Sequence, residues 1–350
     1  MLSQGLRRIA LAVLGVSCVI ATAAIPAQTN PVRHIAAYGY YTDDDPDSSA
    51  TIQAQGHRLA GVITTSVTVA DTSGRLAGTH NAKLIALIHA RGSTVHARVA
   101  NFVNDAWSRE IAHAVLTDSG ARARAMFEIL QLLDLYEYDG IHLALENVAP
   151  QDRRAFSAFV ADLSTKIHAR GRALSIAVPA KVGDQPTHEW TGAFDYFALA
   201  QASDWIVVMA YDEHWANSHP GPVASLPWVE AVLRFATQTV PARKLVLGIA
   251  FYGYAWSEGP GEQISMREAL ARAAQSGAQV QWDERAQVPF FRTPRTTVYF
   301  ESGRSVELRM IMATRFGVAG MAFWRLGYES PDVWDSLGVF LRSSVRSAAR

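Results

Sequence analysis

Short apolar runs recur along the chain, and most are followed by a segment of helical periodicity. Eight runs stand out: residues 34–41, 61–69, 94–99, a fourth within 138–148, then 173–178, 205–211, 245–251 and 318–324. Each is a short, largely apolar run of strand length. Helical patterns occupy 81–90, 108–116, 120–135, 152–169, 227–239 and 304–316, and 332–341 closes the domain. Repeated strand–helix units predict an α/β fold, a single (β/α)8 TIM barrel spanning residues 30–342. An open doubly wound sheet is the alternative. No glycine-rich phosphate turn follows the first run, which counts against a dinucleotide site. The alternation pauses at 256–303, where a helix (266–276) and several short extended pieces predict a small α+β insertion after strand seven. Residues 42–49, with Asp43-Asp44-Asp45, read as a polar loop with a solvated turn rather than a calcium site.

Residues 1–27 read as a signal peptide. Arg7 and Arg8 precede an apolar stretch (9–20) too short to span a bilayer, and small residues offer cleavage near Ala24 to Ala27. The expectation is an exported protein, periplasmic or secreted, with no integral span after cleavage and a basic tail at 343–350. The single cysteine, Cys18, lies in the leader, where lipidation is a minor option, so the mature chain has neither disulfides nor thiolate metal ligands. Lys plus Arg and Asp plus Glu both number 32. That balance speaks against nucleic acid as a partner. Histidines are scattered without His-Glu-x-x-His spacing, and no Gly-x-Ser-x-Gly elbow occurs. No metal, no cofactor and a monomer are expected.

The fourth run, Tyr138-Asp139-Gly140-Ile141-His142-Leu143-Ala144-Leu145-Glu146, has a period of two. Ile141, Leu143 and Leu145 face one way; His142, Ala144 and Glu146 face the other. Glu146 thus stands at the strand's C-terminal end, as a buried structural acid or a catalytic one. Barrel enzymes carry their chemistry on that rim. Other strand ends there bear Tyr38 to Tyr41, Tyr211-Asp212 and Trp324. Carboxylates, phenols and an indole converging on one rim suit a carbohydrate, whose C–H faces pack on rings and whose hydroxyls bond to acids and phenols.

The strand-four segment resembles the Asp-x-x-Asp-x-Asp-x-Glu signature of family 18 glycoside hydrolases, in particular the bacterial cell-wall and spore-germination branch (the YaaH-like group). The similarity extends to Asn101-Phe102, Met209-Ala210-Tyr211-Asp212, Phe251-Tyr252-Gly253-Tyr254 and Gly320-Met321-Ala322-Phe323-Trp324. It implies hydrolysis of β-1,4 bonds beside N-acetylglucosamine, in peptidoglycan or a chitin-like glycan, by a substrate-assisted route. In that scheme Glu146 is the general acid and Tyr211 bonds the substrate acetamide. Asp212 and Met209 lie nearby, Trp324 floors the reacting sugar and Tyr38 lines the wall. The signature's three aspartates fall on Asp139, His142 and Ala144, so only the first is present. The missing acid at 144 motivates an alternative, a barrel that binds glycan without efficient catalysis.

Overall fold

The computed structural model describes residues 35–348. The expected leader, its cleavage sites and Cys18 lie outside the described residues. Eight strands form the barrel: β1 (Ala36–Tyr41), β2 (Gly61–Val69), β3 (Thr94–Ala100), β4 (Gly140–Ala144), β5 (Ala173–Pro179), β6 (Trp205–Met209), β7 (Leu245–Ala250) and β8 (Gly320–Trp324). Each pairs in parallel with the next, and β1 pairs with both β2 and β8, which closes the sheet. The predicted (β/α)8 barrel is therefore the fold, and the open-sheet alternative falls.

Alternation along the strands sorts side chains into two compartments. Ile141, Leu143 and Leu145 of the β4 segment join the outer core between sheet and helices. Tyr40, Ile63, Val207, Val246 and Ala322 fill the lumen, the layered interior of such barrels. Helix starts are set by short polar side chains that accept orphan backbone N–H groups. Asn81 caps Ala82–Ala90, Ser108 caps Arg109–Thr117, Asp118 caps Ser119–Leu135 and Asp195 caps Tyr196–Ala202.

Three elements differ from the sequence expectation. The polar stretch after β1 contains a helix, Pro46–Gln55, started by Asp45, whose carboxylate accepts the Asp47 N–H at 3.0 Å. Ile52 is its one large buried apolar residue, so it has no stripe to read. The insertion begins at Tyr252 rather than Trp256, because Tyr252–Trp256 pairs antiparallel with Thr297–Phe300 and with Glu262–Ser265. The last helix, Pro331–Ala348, continues through the stretch expected to be a tail.

The insertion's exit is tied to the barrel by a buried ion pair. Arg309, on helix Gly303–Phe316, contacts Glu301 at 2.9 Å, with side chains only 2% and 1% exposed. Arg309 also donates to the Ser305 carbonyl at 2.7 Å and to the Ala224 carbonyl. No helix among the described residues is long and apolar enough to cross a membrane.

Candidate active site

Glu146 lies just beyond the end of β4, and its backbone is clamped from β3. Asn101, fully buried, accepts the Glu146 N–H at 2.9 Å and donates to the Glu146 carbonyl at 2.8 Å. Its amide also donates to the Ser108 carbonyl at 2.8 Å. One side chain thus fixes the peptide on both sides of the carboxyl-bearing residue. Asn147 follows with a φ of 53° and donates to the Trp107 carbonyl at 3.0 Å. Asn101→Ala should leave KM near its original value and lower kcat about 10- to 100-fold, since a small misplacement of a reacting group has an effect of that size. Steady-state kinetics on a soluble substrate provide the check.

The Glu146 carboxyl opens into a cavity of about 580 Å³ at the C-terminal rim, shared with Tyr40, Arg98, Ala144, Tyr211 and Trp324. Burial pushes its pKa up to about 8; the Arg98 cation opposes the rise and the Asp212 carboxylate adds to it. The raised pKa favours the protonated form at neutral pH. Tyr211 stays a phenol, its pKa driven well above the ordinary 10.0 by burial and by its neighbours Tyr40 and Glu146. Room for its ring comes from Gly248 on β7, where a Cβ would lie 3.1 Å from a Tyr211 ring carbon and 2.7 Å from the Val208 carbonyl oxygen. Asp212 has a φ of 62° and accepts hydroxyl bonds from Tyr252 at 2.6 Å and Tyr254 at 3.2 Å, both from the insertion sheet. Met209 ends β6 on the same cavity wall. Trp324 ends β8 with its ring edge-on to Tyr40, centroids 5.0 Å apart.

The structure thus brings Glu146, Tyr211, Asp212, Met209, Trp324 and Ala144 to one cavity. It does not bring Tyr38 there. Tyr38 lies on the inward face one layer deeper and stacks on Trp205 at 5.5 Å. Tyr40, two residues further along β1, reaches the cavity instead, so the assignment of Tyr38 to the wall is corrected to Tyr40. Asp139 is at the opposite end of β4, where it accepts the Val95 N–H at 2.8 Å and pairs with His89 at 2.9 Å. His142 fills the lumen between the Tyr40 hydroxyl (2.9 Å) and the Ser175 hydroxyl (2.8 Å). Burial, His96 and Arg98 hold its pKa well below the ordinary 6.5, so it is a neutral hydrogen-bonding group and adds no cation beside Glu146. Among the described residues no group of three or more His, Cys, Asp or Glu is arranged to hold a metal ion.

Residues 36–329 match the family described as Glycosyl hydrolases family 18. The chain belongs to family 18. A cortical fragment-lytic enzyme of Bacillus subtilis (strain 168) is 29% identical over 276 residues, which are 76% of this chain and 64% of that protein. The protein of the same name from Bacillus anthracis is 30% identical over 262 residues, 71% of this chain and 61% of that one. The chain thus spans less than two thirds of the length of either relative. A crystal structure of a chitinase from Chromobacterium violaceum superposes with a TM-score of 0.81 at 29% identity, covering 88% of this chain and 99% of that one.

Within the family 18 barrel, the sequence left several cavity residues unassigned. Arg98 on β3 points into the lumen toward the rim, with its guanidinium carbon 5.7 Å from the Trp324 ring centroid and 5.9 Å from that of Trp107. The period of two was the available signal: Val95, Ala97 and Val99 join the outer core, so His96, Arg98 and Ala100 face inward. Trp107 and Phe102 pair edge-on at 5.1 Å on a hairpin, Phe102–Val103 with Ala106–Trp107. Its two-residue turn, Asn104-Asp105, has φ values of 50° and 58°, the left-handed pair that such hairpins require and that Asn and Asp tolerate best. Phe102 is 37% exposed and Trp190 40%, so both offer ring faces at the mouth of the cavity.

Proposed function

We propose that the chain is an exported glycoside hydrolase that cleaves β-1,4 bonds beside N-acetylglucosamine in a cell-wall or chitin-like glycan. The feature that carries the reading is the Glu146 carboxyl lining a cavity with aromatic rings, where burial pushes its pKa up to about 8. Glu146 gives its proton to the leaving glycosidic oxygen as the C–O bond breaks. The substrate's own acetamide oxygen attacks the anomeric carbon, held by the Tyr211 hydroxyl. The Glu146 carboxylate then takes a proton from the water that opens the cyclic intermediate. Family membership, the cortical fragment-lytic relatives and the chitinase structure support this glycan class. The arginine-led apolar stretch within residues 1–27, read as a leader, supports export.

Purified sacculi, chito-oligosaccharides and deacetylated glycans form the test panel, with Glu146→Gln as control. Reducing ends released by the parent and not by Glu146→Gln are expected; equal release by both would refute the reading. A second reading rests on Ala144 and His142, which stand where the signature has carboxylates. It is a glycan-binding barrel with impaired chemistry, and oligosaccharide binding without turnover would establish it.

Trp324→Ala separates the sugar platform from the chemistry. Burying an apolar side chain is worth about 1.5–3 kcal/mol, so kcat/KM should fall about 10- to 100-fold, largely through KM. An unchanged KM would place Trp324 in packing alone.

A further inference from the structure

The cavity contains one cation without a carboxylate partner. Among the described residues, Arg98 forms no ion pair; its recorded bond is from one terminal nitrogen to the Thr65 carbonyl at 3.3 Å. Its Nε is shielded from solvent with no hydrogen-bond partner. The other arginine lining the cavity, Arg325, is by contrast held by Asp44 at 3.0 Å and Asp45 at 3.7 Å. A shielded guanidinium with an unused donor is costly to maintain unless something charged and oxygen-rich meets it. Its position narrows what that is. Arg98 pairs in register with His142, and the next inward pair is Ala100 with Ala144. The guanidinium therefore sits beside the place where the family signature has an acid and this chain has a methyl group.

We propose that Arg98 recognises a carboxylate carried by the sugar seated next to Glu146, so that the substrate itself supplies the negative charge that position 144 lacks. The inference rests on the glycan-site reading and deepens it. Of the two glycan classes considered, a neutral chitin-like polymer offers Arg98 only uncharged hydroxyl and amide oxygens, whereas a wall glycan whose 3-O-lactyl ether carries no peptide offers a carboxylate on the sugar itself. A guanidinium fork bonds a carboxylate with two parallel N–H donors and holds it in one orientation. The indoles of Trp107 and Trp324 flank it.

The probe is a β-1,4 tetrasaccharide of N-acetylglucosamine alternating with its 3-O-lactyl ether, prepared as the free acid and as the uncharged primary amide of the same shape. Binding of each to the full chain carrying Glu146→Gln is measured by calorimetry. The acid should bind about 10- to 100-fold more tightly than the amide, the range for hydrogen bonds to a charged group. Adding Arg98→Gln should remove that gap, and Arg98→Lys should keep part of it, with circular dichroism confirming that each variant is folded. Equal binding of the two forms, a gap that survives Arg98→Gln, or binding of neither would overturn the proposal. Turnover by the parent chain separates this from the hydrolase reading. Equal cleavage of acid and amide would overturn the role of Arg98 and keep the hydrolase. Acid-selective binding without cleavage would keep Arg98 and overturn the hydrolase.

Discussion

Glu146→Gln is expected to lower kcat by about 10²- to 10⁴-fold, the usual contribution of a positioned general acid, while substrate binding persists. The amide keeps the size and the backbone clamp of Asn101 but has no transferable proton. The parent's kcat should hold at neutral pH and fall as pH rises through about 8, where Glu146 loses its proton. A loss of stability in the same direction of pH accompanies it. Glu146 titrates higher in the folded chain than the ordinary 4.5. Between those values the folded state holds a proton that the unfolded state has released, so the parent loses stability as pH rises from about 4.5 to about 8. Glutamine has no such dependence. Thermal melts at pH 5 and pH 9 should therefore show Glu146→Gln gaining on the parent at the higher pH. A variant that melts earlier at both values would show Glu146 to be an acid that the fold itself needs.

What the sequence made legible follows from how each feature is encoded. The barrel is written in the repeated apolar runs, and Glu146 in a period-two pattern that has only two faces to choose from. That pattern gives the face of a side chain but not its depth along the barrel axis. Tyr38 and Tyr40 share a face, and only the register with the neighbouring strands, Tyr38 beside Gly61 and Ala322, places the first below the cavity. Helix Pro46–Gln55 was hidden because its stability comes from docking rather than from an apolar stripe. The start of the insertion depends on pairing between Tyr252–Trp256 and a strand far along the chain. Arg98 went unassigned in the sequence although the period of two turns it inward; its meaning depended on its neighbours, namely Trp107, Trp324, Glu146 and the absence of an acid at 144.

Ala144→Asp tests that meaning from the other side. Ala144 is only 3% exposed, faces the cavity, and lies two residues before Glu146 on the same face of the β4 segment. Side chains so placed are about 6–7 Å apart along a strand. A carboxylate introduced there would enter the field of the Arg98 guanidinium, which favours its ionised form, and would raise the pKa of Glu146 by like-charge repulsion. It would also hold the acetamide N–H and the charge that develops as the acetamide oxygen attacks. Removing or supplying one electrostatic stabiliser of this kind changes kcat by about 10²- to 10³-fold. On a neutral N-acetylglucosamine oligomer, Ala144→Asp is thus expected to raise kcat by that factor and to shift the alkaline fall in kcat upward, while the uncharged Ala144→Asn does neither. On the lactyl-ether glycan the sign reverses, because the introduced carboxylate would occupy Arg98 and repel the substrate's own, and the preference for acid over amide should vanish. A parent chain that already turns over neutral oligomers rapidly, with no gain from Ala144→Asp, would mean that this barrel stabilises its transition state without a carboxylate at 144 from either source.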